Sequence, residues 1–130
     1  MIVSLLLVNK GQAQTLKSIS ILEKQNQGCL DKGEDMTGCA ADFGNQMDSL
    51  LNLSYNNLRK TLSPAGKDSL KAEELCWIKK RDAAFKKNAK KENDDLGGGT
   101  MSIMATYQDN ADFVKERAIV LIKRLNAVSK

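Results

Sequence analysis

The sequence predicts an all-α fold: a small antiparallel bundle of three long helices completed by a shorter N-terminal helix. Apolar residues recur every three or four positions over three long stretches, as they do on one face of a helix. The 130 residues include a single proline, and β-branched and aromatic residues are few outside these stretches, which disfavours a sheet. The three stretches have compatible lengths and short connections, which predicts antiparallel packing.

The composition is that of an ordinary globular protein, with 42% hydrophobic and 28% charged residues and a net charge of +4. No histidine is present, which excludes Ser-His and Cys-His nucleophiles and removes the commonest metal ligand. The three cysteines match no zinc-binding spacing. We therefore expect a protein without catalytic residues, metal or cofactor.

The chain begins with an apolar run at residues 2–8, followed by Gly11-Gln12-Ala13. This pattern is typical of a short signal-peptide core with a small-x-small cleavage site, and it is too short to span a bilayer. We interpret residues 1–13 as a signal-peptide remnant and 14–130 as one helical domain exported to the periplasm or secreted. The alternative is an ordinary buried N-terminal strand or helix.

The first segment of the domain, residues 15–27, is predicted to form a short helix that ends at Gly28. A polar, turn-forming stretch then separates Cys29 from Cys39. Export would permit a disulfide between these cysteines, and closing so short a loop would contribute roughly 2–3 kcal/mol. The third cysteine, Cys76, is either buried beside Trp77 or exposed and open to intermolecular pairing, and we expect burial.

The second helix is predicted from residue 36 or 37 to Leu62, with Asp35 or Thr37 as its cap. Ser63-Pro64 marks the start of the third helix, which is predicted to run from Ala65 to Asn93. The last helix is predicted over Met101–Ala127. The apolar stripe of the second helix contains Met36, Ala40, Phe43, Met47, Leu50, Leu51, Leu58 and Leu62, and that of the last contains Met104, Tyr107, Ala111, Val114, Leu121 and Leu125.

The third helix carries the only tryptophan on an apolar stripe of Leu70, Trp77, Ile78 and Phe85. Glu74 and Arg81 lie on the same stripe, where each needs a polar partner. We expect them to pair with each other or with polar residues of the second helix. The predicted buried polar network contains Asp48, Asn52, Tyr55, Glu74, Arg81 and Arg117. A second interpretation makes Glu74 a catalytic carboxylate with Asp48 or Asp82.

Seven basic residues lie between Lys79 and Lys91, against the single acid Asp82. This segment lacks the interleaved aromatic residues and the motifs of nucleic-acid-binding proteins, so we expect a solvated helix face and no nucleic-acid partner. Gly97-Gly98-Gly99-Thr100 lacks the spacing of a phosphate-binding loop. It is predicted to be the turn between the third and last helices.

Several short motifs, taken in order, resemble those of the LprI-type family of lysozyme inhibitors, which are small secreted helical proteins. They extend from about Cys29 to Leu125. The motifs are Met36-Thr37-x-Cys39-Ala40, Asp48-x-x-Leu51-Asn52-x-x-Tyr55, Leu70-Lys71-x-x-Glu74-x-x-Trp77-Ile78-x-x-Arg81-Asp82, and Gly97-Gly98-Gly99-Thr100-Met101 with Arg117. The chain differs from the family pattern at Glu74, where glutamine is usual, and at Phe85 and about Asp109, where the pattern has a pair of cysteines.

The resemblance implies an exported helical domain and, for some members of the family, inhibition of lysozyme. A related possibility, which the resemblance does not exclude, is an immunity protein against an amidase delivered by a type VI secretion system. We therefore expect a binding protein that inhibits a cell-wall hydrolase of one of these two kinds. We expect the hydrolase to contact the glycine turn and the neighbouring basic face. The candidate contact residues are Lys86, Lys87, Lys90, Lys91, Gly97, Gly98, Gly99 and Thr100. The alternative function is a structural envelope module that holds an anionic polymer on the basic helix, and a homodimer is left open.

Overall fold

The computed structural model describes the backbone of residues 2–128 and the side chains of residues 16–128. This part of the chain consists of four helices: α1 (Ile2–Lys32), α2 (Met36–Lys60), α3 (Pro64–Leu96) and α4 (Thr100–Val128). The predicted all-α fold is confirmed, although α1, with 31 residues, is longer than α2 and α4 rather than the short member of the bundle. The proposed signal-peptide remnant includes Met1 and side chains that lie outside the described residues, and it stays a prediction.

The helix starts follow the capping residues expected from the sequence. The Asp35 carboxylate accepts a hydrogen bond from the Gly38 N–H at 3.0 Å and caps α2. The Ser63 hydroxyl accepts one from the Gly66 N–H at 3.2 Å and caps α3, with Pro64 at its first position. The predicted ends were less accurate, since α3 continues three residues beyond Asn93.

The predicted end of the first helix at Gly28 is wrong. The helix continues to Lys32, and the chain reverses at Gly33, whose φ of +67° favours glycine. Cys29 therefore lies on the last turns of α1. From there it forms the predicted disulfide with Cys39 near the start of α2, across a Cα–Cα distance of 5.9 Å.

The chain reverses at each connection, so α2 and α4 run in the same direction. These two helices make the most extensive contact in the fold, and α4 also packs against α1 and α3. By contrast, α2 and α3 touch only slightly. The fold is thus organised around the α2–α4 pair, with α1 and α3 attached at its sides.

The core confirms most of the predicted stripes. Phe43 and Met47 of α2 and Leu121 and Ile122 of α4 have no more than 2% of their surface exposed. The other buried apolar residues are Ile19, Cys39, Ala40, Leu51, Leu58, Leu70, Ala111, Val114, Ala118 and Leu125. Tyr107, although it lies on the apolar stripe predicted for α4, is 41% exposed.

The expected burial of Cys76 is wrong, because its thiol is free and exposed. The neighbouring residue, Trp77, faces α4 and stacks on Phe113 with 5.9 Å between ring centroids. Successive residues of a helix point about 100° apart, so a Trp77 that faces α4 turns Cys76 away from it.

Candidate functional site

The glycine turn lies at one end of the bundle, between α3 and α4. Gly97 and Gly98 have φ values of +78° and +81°, the left-handed conformation that side chains disfavour. The buried Ser102 holds the turn, because its hydroxyl accepts a hydrogen bond from the Gly98 N–H at 3.1 Å and donates one to the Glu92 carbonyl at 3.0 Å. Sequence reasoning found the glycines but missed Ser102, which carries no pattern of its own.

Two large apolar side chains flank this turn and remain in solvent. Leu96 is 49% exposed and Met101 is 50% exposed, and Gly97, Gly98, Gly99 and Thr100 between them are exposed. Large, half-exposed apolar side chains thus lie on both sides of one short turn. We call residues 96–101 the glycine tip.

The four predicted contact lysines are all exposed on α3. Lys90 forms an ion pair with Asp94 at 2.7 Å, and Lys91 lies 3.5 Å from Glu92. Among the described residues, Lys86 and Lys87 form no ion pair. The basic face is therefore partly neutralised by acids of the same helix.

The structure brings two residues of the predicted polar network together. Glu74 and Arg117 are both buried, and the Nε atom of Arg117 lies 3.5 Å from a carboxylate oxygen of Glu74. This distance gives an ion pair without a hydrogen bond, and neither Glu74 oxygen has a hydrogen-bond partner. The expected Glu74–Arg81 pair is not formed.

Two residues that the sequence reasoning missed complete this network. Glu73 accepts hydrogen bonds from Arg117 at 2.8 Å and from Arg124 at 2.6 and 3.1 Å. The hydrogen bond from Arg124, with a second from Arg117, lowers the pKa of Glu73 and outweighs its partial burial. The same bond raises the pKa of Arg124. Four charged side chains thus link α3 to α4.

The remaining members of the predicted network lie apart from it. Arg81 bonds to Asp82 through Nε at 3.1 Å and Nη2 at 2.9 Å, and its guanidinium lies 5.8 Å from the Trp77 ring centroid. Asp48 and Asn52 are exposed. Within the described part of the chain, no hydrogen bond or ion pair joins either of them, or the half-buried Tyr55, to Glu74 or Arg81.

These contacts do not support the interpretation of Glu74 as a catalytic carboxylate. Its two oxygens are inaccessible and lie beside a buried guanidinium, whereas a general acid must reach its substrate. Asp82 is paired with Arg81. Residues 16–128 also contain no group of three metal-ligating side chains.

A groove separates α2 from α3. Its first part has a volume of about 450 Å³ and its second about 290 Å³. The first is lined by Ala40, Ala41, Gly44, Asn45, Asp48, Arg81, Phe85, Tyr107, Asn110, Ala111 and Val114, and the second by Asp48, Leu51, Asn52, Tyr55, Lys71, Glu74, Leu75, Trp77, Ile78 and Arg81. We call this depression the α2–α3 groove. Most of the polar residues predicted for a buried network instead line its walls.

The described helices are not apolar enough over a sufficient length to cross a membrane.

Comparison with known proteins matches residues 26–121 to a family model described as lysozyme inhibitor LprI. The match covers roughly three quarters of the chain and includes the disulfide, α2, α3 and most of α4. No curated protein and no solved structure gives a significant match.

Proposed function

This chain belongs to the LprI family of lysozyme inhibitors, and on that basis we propose that it is an exported binding protein that inhibits a peptidoglycan hydrolase. The family match is the observation that carries the proposal. The target is either a lysozyme or an amidase delivered by a type VI secretion system. In the second case the chain acts as an immunity protein.

The disulfide supports the exported location. Disulfides persist in oxidising compartments such as the bacterial periplasm and are rare in the cytosol. The Cys29–Cys39 bond joins the end of α1 to the start of α2, and both cysteines lie within the range matched to the family. An amino-terminal signal segment, as the sequence suggests, would deliver the chain to that compartment.

The glycine tip is the surface we propose for contact with the hydrolase. A rigid helical pair presents it, Ser102 fixes its conformation, and Leu96 and Met101 offer apolar surface that a partner could desolvate. Lys86 and Lys87, which form no ion pair in the described structure, lie on the same helix and could add charged contacts at the edge of the interface.

A cell-wall clearing assay tests the proposed function. Purified protein is titrated against a lysozyme and, separately, against a cell-wall amidase that cleaves the peptide cross-links. We expect one of the two enzymes to be blocked at a near-stoichiometric ratio. Clearing by both enzymes at a tenfold excess of the protein would contradict the proposal.

Substitutions at the tip test the contact surface. Gly99→Trp is preferable to a change at Gly98, because Gly99 has no positive φ and open space around it, whereas a Cβ on Gly98 would lie 2.7 Å from the Asn93 side chain. We expect Gly99→Trp to weaken inhibition at least tenfold with little change in melting temperature. Gln46→Trp, at an exposed position of α2, is the matched control.

The alternative function, a structural module that holds an anionic polymer, depends on the basic face of α3. The pairing of Lys90 and Lys91 with acids weakens it. Binding of purified peptidoglycan or lipopolysaccharide that disappears between 50 and 300 mM salt would favour this alternative, since exposed charges are strongly screened in that range. Reversal of Lys86 and Lys87 to glutamate would then abolish binding, and Lys123→Glu would serve as the control.

A further inference from the structure

We propose that the α2–α3 groove binds an extended, uncharged peptide segment of the inhibited hydrolase. The groove would be a second contact surface, in addition to the glycine tip. The identity of the partner rests on the proposed function. The existence of a peptide site in the groove rests on the geometry of its walls and floor.

The floor of the groove admits a close approach by a main chain. Its first part is formed by small residues: Ala40, Ala41 and Gly44 of α2 and Ala111 of α4. A Cβ on Gly44 would lie 3.8 Å from the Ala111 side chain, so α2 and α4 meet here with no large side chain between them. Since α3 stays apart from α2, the space above this floor remains open.

Two side chains of opposite charge line the same space from its two walls. Asp48 of α2 and Arg81 of α3 line both parts of the groove. They form no ion pair with each other, and within the described residues Asp48 forms no ion pair, whereas Arg81 is paired with Asp82. A carboxylate accepts a hydrogen bond from a peptide N–H and a guanidinium donates one to a peptide carbonyl, so the two walls offer partners to both halves of a peptide group.

Arg81 is held in position before any ligand arrives. Its Nε and Nη2 atoms donate to Asp82, and its guanidinium lies over the rings of Trp77 and Phe85, with centroid distances of 5.8 and 5.9 Å. Its Nη1 group makes no hydrogen bond to a described residue. Because the Arg81 side chain is already held by Asp82 and by two aromatic rings, it loses little conformational entropy when its remaining N–H groups bind a ligand.

The charge of the groove indicates an uncharged ligand. Two charged residues of the lining have partners outside it, since Glu74 is paired with Arg117 and Arg81 with Asp82. The remaining charges of the lining are one acid, Asp48, and one base, Lys71, so the groove is neutral, whereas the chain carries +4. Amides complete the polar lining, with Asn45, Asn52 and Asn110. These groups can exchange hydrogen bonds with a main chain without a compensating charge.

The length of the groove suits an extended peptide. The Trp77 ring offers no free face, because it stacks on Phe113 and has the Arg81 guanidinium within 5.8 Å of its centroid. Tyr107, which is 41% exposed, lines the first part of the groove and can pack on an apolar side chain of the peptide. The α2 wall from Ala40 to Tyr55 is about 22 Å long at 1.5 Å per residue, which corresponds to roughly six or seven residues of extended chain.

The first test uses a displayed library of eight-residue peptides that lack Asp, Glu, Lys and Arg. We expect enriched peptides to bind the Asn45→Trp variant at least tenfold more weakly than the wild type, because the substitution places a large ring over the first part of the groove. Gln46→Trp, at the next, exposed position of α2, should leave their affinity unchanged. Failure to enrich any peptide, or equal binding to Asn45→Trp, would overturn the proposal.

A second arm separates the peptide from a glycan and from the choice of partner. Tetra-N-acetylchitotetraose that displaces an enriched peptide and shifts the Asn45 and Asn110 side-chain amide resonances would show a saccharide site and overturn the proposal. Asn45→Trp should also weaken inhibition of the hydrolase blocked in the clearing assay. Unchanged inhibition with lost peptide binding would refute the hydrolase as the occupant. If no hydrolase is blocked in the clearing assay, the proposed function fails. The library experiment then still shows whether the groove binds a peptide.

Discussion

Replacement of Arg117 by methionine tests the energetics of the link between α3 and α4. Arg117 is 9% exposed and lies between two carboxylates: Glu73, whose side chain is 40% exposed, and Glu74, whose side chain is 11% exposed. Methionine retains most of the apolar volume of the arginine stem. It removes the only ion-pair partner of Glu74 in the described structure, whereas Glu73 keeps Arg124 as a partner.

The expected cost follows from the burial of Glu74. Removing one partner of a buried ion pair leaves an uncompensated charge and typically costs about 3–5 kcal/mol. For a chain of this size, this corresponds to a fall in melting temperature of about 10–20 °C. Arg124→Met is the control, because Arg124 is 45% exposed and an exposed ion pair contributes at most about 1 kcal/mol.

Urea unfolding followed by Trp77 fluorescence and circular dichroism measures both variants. Removing Arg117 leaves the buried Glu74 carboxylate without its ion-pair partner, which is the reason for the expected loss. Glu74→Gln combined with Arg117→Met should recover most of the lost stability. Equal, small losses for Arg117→Met and Arg124→Met would refute the reasoning.

Three further predictions concern single contacts. Replacing Cys29 and Cys39 by serine should cost roughly 2–3 kcal/mol in urea unfolding, and reduction of the wild type should give the same loss. Burial raises the pKa of Asp109 in the folded state, which disfavours its charged form, so Asp109→Asn should raise the melting temperature at pH 7 and have no effect at pH 3. The hydrogen bond from Arg124 lowers the pKa of Glu73, so the stability that Glu73 contributes should be present above about pH 4.5 and lost as the pH falls further. The Glu73→Gln variant should therefore lose less stability than the wild type when the pH is lowered from 5 to 3.

The elements of the fold could be predicted from the sequence because their signals are local. Asp35 and Ser63 cap helices through hydrogen bonds to residues three positions away, so the chain segment itself contains both partners. The apolar stripes likewise require only the helical repeat. Gly28 shows the limit of this reasoning: glycine permits a helix to end but does not force it, and α1 continues to Gly33.

The polar contacts could not be predicted because they depend on how the helices pair. Arg81 and Arg117 both lie on stripes that face the core, and the sequence does not indicate which of them meets Glu74. The observed register of α3 along α4 places Arg117 there and turns Arg81 towards the groove. The groove itself exists because α2 packs against α4 and not against α3. The apolar stripes do not indicate which helices pack against each other.

The way α3 is attached suggests where the molecule opens first. Its buried residues are Leu70, Glu74 and Glu92, so only one of the three is apolar, whereas α2 and α4 each bury at least five apolar side chains. Half-buried aromatic contacts and the charged network hold the rest of α3 against α4. Segments with few buried apolar contacts open at a lower free energy than the whole domain.

We therefore expect the amides of α3 to exchange with deuterium before those of α2 and α4, measured by mass spectrometry at neutral pH. Raising the salt concentration should accelerate exchange in α3 selectively, since its exposed ion pairs are screened. Both proposed contact surfaces involve this helix, because α3 forms one wall of the groove and leads into the glycine tip. A bound hydrolase should then slow exchange along α3 more than elsewhere. Uniform exchange across the four helices, with no response to salt, would show that α3 belongs to the same cooperative unit as the core.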